Sequence, residues 1–140
     1  MGPAENKRIA MRFYDEVVNA GDLSLIPELI ADDFVDHEEI PGLPRNREGV
    51  RQWVEMTRSA FPDLTITVMK IVGEDDEIWV HSRMTGTHRG EFLGMPPTEK
   101  KVDVEAIDRV RVRDGKAIEH WAVTDLMGLM QQLGVADLPA

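Results

Sequence analysis

The chain has 140 residues, 42% hydrophobic and 30% charged, with no cysteine and a formal net charge of −10. Such a length predicts one domain, 1–140, with a real core, and the apolar share is too high for a disordered chain. The missing cysteines exclude disulfides, thiolate zinc sites and a cysteine nucleophile. The negative field disfavours nucleic acid, membrane surfaces and polyanionic substrates, which leaves a small, neutral, largely apolar ligand as the expected partner.

The N-terminus is polar and lacks a signal-peptide core, and no run approaches eighteen apolar residues, so a cytoplasmic location is expected. Ile9, Phe13 and Val17, flanked by Ala10, Tyr14 and Val18, recur at helical spacing and predict a helix from about Glu5 to Ala20, stopped by Gly21. A short helix from Ser24 tolerates Pro27 in its first turn. Phe34 anchors the chain before a loop that holds His37 among Asp36, Glu38 and Glu39. A third helix runs from about Arg47 to Ala60 and ends before Pro62.

Beyond Pro62 the period changes to two. "LTITVMKIV" and "EIWVHSRMTGTHRG" read as a hairpin, and "KKVDVEAIDRVRVRDGKAIEHWAV" as a second one turning at Asp114-Gly115. A last short helix carries Leu126, Leu129, Met130 and Leu133. Helices first and antiparallel strands later make an α+β protein, with a strongly curved sheet folded over the N-terminal helices. Parity puts Val80, Ser82, Met84, Gly86 and His88 on one face and Trp79, His81 and Arg83 on the other. On the next strand Asp108 is a lone carboxylate among Val102, Val104, Ala106, Val110 and Val112. Trp121, Val123 and Asp125 share a face of the last strand, and His120 has the opposite parity.

Four stretches, "RFYDEVVNAGDL", "DFVDHEEIPGLPRNREGVRQWV" with "AFPDLTITV", "GTHRGEFLGMPPTEKKV" and "DGKAIEHWAVTDLMGLMQQLG", together resemble the SnoaL-like polyketide cyclases of the nuclear transport factor 2-like superfamily. The resemblance implies a single cone-shaped α+β barrel around an apolar cavity, commonly a homodimer or homotetramer. It also implies an intramolecular aldol condensation on a neutral polyketide ester, needing neither metal nor organic cofactor. One aspartate at the end of the last long strand would serve as general base and then acid; the matching residue is Asp125. Fold alone does not fix chemistry, so a non-catalytic binding protein and a hydrolase or isomerase of the same fold remain alternatives. The hydrolase would pair Asp125 with Asp108 around a water.

Asp125 also precedes a helical run, where aspartate is a favoured N-cap. His37 is expected to turn inward toward a substrate carbonyl while its acidic neighbours stay in water. His120 would join it in stabilising an enolate if a bulge turned it in, and His88 is a further candidate beside Gly86 and Gly90. Tyr14, Trp53, Met84, Phe92, Asp108 and Trp121 are expected to shape the cavity and touch the ligand, with Phe92 and Leu93 forming a lid. No histidine pair has the close spacing of a dedicated metal cage, so no metal site is expected. The outward strand faces, with Trp79 and Ile107, add to the expectation of a homo-oligomer.

Overall fold

The computed structural model describes residues 2–135. The chain enters through α1 (Pro3–Arg12), with proline at a first-turn position that needs no N–H donor. It then widens into a π-helical segment, Phe13–Asn19, instead of continuing the α-helix expected to Ala20. The wider turns shift the helical phase, and such insertions are frequent at functional sites. Asp22, not Ser24, provides the next cap. Its carboxylate accepts from Ser24 N at 3.1 Å, ahead of a 3₁₀ turn (Leu23–Leu25) and α2 (Ile26–Leu29).

The segment expected to begin a loop is instead a strand, β1 (Ile30–Asp36). The remaining elements are α3 (Arg47–Ala60), β2 (Thr65–Glu74), β3 (Glu77–Thr87), β4 (Lys101–Arg113), β5 (Lys116–Thr124) and α4 (Leu126–Leu133). Asn46 caps α3 by accepting from Gly49 N at 3.1 Å. The β4–β5 hairpin turns on Asp114 and Gly115, both at positive φ, as a two-residue turn matched to strand twist requires.

The five strands form one curved, unclosed sheet in the order β1-β5-β4-β3-β2. Neighbours are antiparallel except β1, which pairs parallel to β5 and makes the sheet mixed. One face packs on the helices through a core including Val17, Leu29, Phe34, Val54, Phe61 and Leu133, each at most 4% exposed. Each such side chain contributes roughly 1.5–3 kcal/mol by leaving water. No helix among the described residues is long and apolar enough to cross a membrane.

Register settles which residues look inward. Asp108 pairs with Val80 on β3 and Ala122 on β5, and Val110 pairs with His120. Paired residues share a face, so Asp108, His120, Ala122 and Thr124 point in with buried Val80, while Trp121, Val123 and Glu119 point out. The parity expected for β5 is therefore inverted. His120 needs no bulge to face the interior.

Candidate functional site

Four elements deliver polar groups to one place on the inward face. The parallel register sets Asp36 of β1 beside His120 of β5, residues 84 apart in the chain. His120 Nδ1 lies 2.9 Å from Asp36 Oδ1 and its Nε2 lies 2.6 Å from Asp108 Oδ1. A neutral imidazole has one N–H, so hydrogen bonds to two carboxylates are both made only by the imidazolium. Burial alone would lower the pKa of His120, but the bonds to Asp108 and Asp36 outweigh it and push it up to about 10. The result is a carboxylate–imidazolium–carboxylate row on an apolar sheet face.

Tyr14, presented by the π-helical segment, brings its phenol against Asp108. Its pKa is raised well above the ordinary phenol value, chiefly by burial and then by the Asp108 charge. Glu38 completes the group. Asp36 Oδ1 accepts from the Glu38 backbone N–H at 2.9 Å, an Asx turn that bends the chain so that Glu38 points in, between exposed His37 and Glu39. Burial is the first cause holding the Glu38 carboxyl above its usual range; His120 opposes it, and Asp108 and Asp36 add to it.

The arrangement around residue 37 is the reverse of that expected. His37 faces outward and shares a hydrogen bond with Glu119 at 2.9 Å, while Asp36 and Glu38 turn inward. His37 also stacks on Trp121, with ring centroids 4.7 Å apart. The Arg109 guanidinium covers Trp121 at 4.0 Å and Trp79 at 5.7 Å. Trp121 thus belongs to a stacked row that crosses β3, β4 and β5 to the end of β1 on the outer face, and does not line the interior.

Asp125 caps α4, accepting from Gly128 N at 2.9 Å, and is exposed. Asp108 lies opposite Ala122, three residues before Asp125 and about 10 Å from it at about 3.3 Å per residue, so the two do not join around a shared water. His88 is fully buried against Phe61 and accepts from Thr98 N at 3.3 Å, fastening the loop after β3. It lies beyond the Thr87–Lys101 pair, about 23 Å along the strands from Asp108. Phe92 is buried edge-on to Phe61 as core, not a mobile cover, while Leu93 at the loop tip is exposed. Trp53 and Met84 are half-buried and pack against the core.

Ligand atoms of Asp36, Glu38 and His120 lie within 4.8 Å of one another, a grouping that short-range spacing could not reveal. Both ring nitrogens of His120 are committed as donors, so this protonation state offers a metal no lone pair. Two surface clefts, of about 400 and 380 Å³, lie by the hairpin ends (Asp75, Asp76, Asp114) and between α2 and α3 (Ile26, Arg47, Arg51). Neither includes a residue of the cluster.

Comparison with known proteins agrees with this architecture. The sequence model of SnoaL-like polyketide cyclases matches residues 8–133. Nogalonic acid methyl ester cyclase of Streptomyces nogalater is 27% identical over 119 residues, covering 83% of this chain and 88% of that one. Wild-type IdmH of Streptomyces antibioticus is 37% identical with a TM-score of 0.79, over 93% of this chain and 99% of that one. TsrD of Streptomyces laurentii is 26% identical with a TM-score of 0.88, over 97% and 99%. The curated relatives are enzymes, all cyclases. With its sheet, its helices and nearly its whole length matched, the chain belongs to the SnoaL-like polyketide cyclase family.

Proposed function

We propose that this protein closes a ring by intramolecular aldol condensation of a neutral polyketide ester, with Asp108 as the general base. The observation that carries the reading is the inward Asp36–His120–Asp108 row with the Tyr14 phenol against it. Asp108 takes the proton alpha to a carbonyl, and the bonding pair moves onto the carbonyl oxygen as an enolate. Tyr14 donates its one phenol proton to Asp108 at rest; once Asp108 is protonated, that donor turns to the enolate oxygen in a partly desolvated setting. The enolate carbon then attacks a second carbonyl of the same molecule, and the alkoxide so formed takes a proton. Ala122, opposite Asp108, sets only a methyl group beside the carboxylate. His120 balances the two aspartates and fixes the orientation of Asp108. The reading requires neither metal nor organic cofactor, so EDTA leaves the rate unchanged.

The relatives' names supply the trial substrates, nogalonic and aklanonic acid methyl esters. The wild-type protein should cyclise at least one, followed by chromatography of product. Asp108→Asn should be about a hundredfold slower or worse at unchanged substrate affinity, the usual loss of a positioned base. Binding without turnover would move the protein to the class of non-catalytic carriers, and a fully active Asp108→Asn would remove Asp108 as base.

A further inference from the structure

We propose that Glu38 is the general acid of this reaction, the group that hands a proton to the alkoxide formed at ring closure; the inference rests on the cyclase reading above. Three observations carry it. First, Glu38 is drawn inward by its own backbone bond to Asp36, whereas the residues on either side are exposed. Secondly, its carboxyl reaches within 4.8 Å of Asp36 and His120 ligand atoms, so it shares the site with the base. Thirdly, the other two acids are already engaged. Asp36 Oδ1 takes both His120 Nδ1 and the Glu38 N–H, and Asp108 Oδ1 takes His120 Nε2. Glu38 makes no ion pair among the described residues, and the side-chain hydrogen bond it accepts comes from the neutral Thr124 hydroxyl.

The surroundings divide the labour. The charged and titratable groups facing Glu38 are Asp36 from β1, Asp108 from β4, His120 from β5 and the Tyr14 phenol from the π-helical segment, with the Thr124 hydroxyl also near. Asp108 has the imidazolium in direct contact through one oxygen, Oδ1. Glu38 is half-buried beside two carboxylates, which favours its neutral form as an acid. Two carboxyl groups in such unlike environments are the usual basis of an acid/base pair. The step balances. The carbon-bound proton passes to Asp108, the new carbon–carbon bond forms, and the alkoxide takes the Glu38 proton. The proton on Asp108 then returns across the cluster to Glu38, so the condensation is neutral overall.

The test is Glu38→Gln beside Glu38→Asp, both assayed over a pH series with whichever methyl ester the wild-type protein cyclises. Glu38→Gln keeps the shape and hydrogen-bonding reach of the side chain but holds no transferable proton. Its kcat should fall about a hundredfold with unchanged substrate affinity and melting temperature, and the alkaline limb of the wild-type kcat profile should vanish. Glu38→Asp, one methylene short, should recover part of the rate and restore the limb. A Glu38→Gln variant with wild-type kcat, or one that retains the limb, overturns the inference while leaving the cyclase reading intact. If the wild-type protein cyclises neither ester, the cyclase reading fails first and the inference falls with it.

Discussion

His120 holds two carboxylates on an apolar surface, and its removal is the most damaging single change expected at the site. His120→Gln leaves Asp36 and Asp108 facing each other without a cation, at side-chain exposures of only 14% and 16%. Breaking a buried pair by deleting one partner typically costs 3–5 kcal/mol, and the residual exposure lowers this to roughly 2–4 kcal/mol in chemical denaturation. The sign of the pH dependence follows from the folded pKa of about 10 against about 6.5 in the unfolded chain. Stability from His120 is complete below a pH of about 6.5 and drains away as pH rises through about 10. The wild-type melting temperature should therefore decline across that interval, and the His120→Gln profile should be flatter. Asp125 makes the opposite case. Asparagine caps about as well as aspartate, so Asp125→Asn should shift stability by only a few tenths of a kcal/mol and leave turnover intact, while Asp125→Ala loses about 1 kcal/mol with its cap. A large loss of rate in Asp125→Asn at unchanged stability would return the chemistry to that residue.

Each element is legible in the sequence to the degree that its period is clean. The hairpins β2–β3 and β4–β5, the bounds of α3, and α4 with Gly134 after it at positive φ follow from alternation, helical spacing and turn chemistry. β1 is hidden because "IADDFVD" does not alternate: Asp32 and Asp33 are both exposed between buried Ala31 and Phe34. Without that strand, Asp36 and Glu38 have no visible place at the site. Alternation alone leaves open which face of β5 is inward, and a bulky aromatic such as Trp121 points the choice the wrong way, because Arg109 and His37 cover its ring on the outside. Asp108 stands out as the one acid on an apolar face. α3 has a further constraint at its start, where a Cβ on Gly49 would collide with the Pro44 carbonyl oxygen. That contact is backbone and cannot swing aside. Gly49→Ala should cost on the order of 1–3 kcal/mol, as overpacking does, readable as a lowered denaturation midpoint at unchanged slope.

At the scale of the molecule, the outward sheet face keeps Trp79 at 44%, Ile107 at 40% and Val123 at 76% exposure, on the side away from the helices. Large exposed apolar side chains on a sheet face are a usual mark of an interface, and a second copy of the chain is the expected cover. Light scattering at micromolar concentration should give at least twice the 15.8 kDa of one chain. A Val123→Glu exchange should shift the distribution toward the smaller species. A wild-type mass near that of one chain removes the expectation.

The parallel seam between β1 and β5 also governs the order in which the molecule comes into being. Hairpins zip from a tight turn and need little chain entropy to start, but Asp36 meets His120 only after a loop of more than eighty residues has closed. Contacts of such separation form slowly, and nothing local prepares them. During refolding the β2–β3 and β4–β5 ribbons should gather first, with the Asp36–His120 contact absent until the edge strand docks. His37 stacks on Trp121 only across that seam, so the tryptophan becomes a clock for its closure. In stopped-flow refolding, the Trp121 fluorescence change lost in Trp121→Phe should coincide with the return of ligand binding, and both should trail the far-UV signal of the sheet.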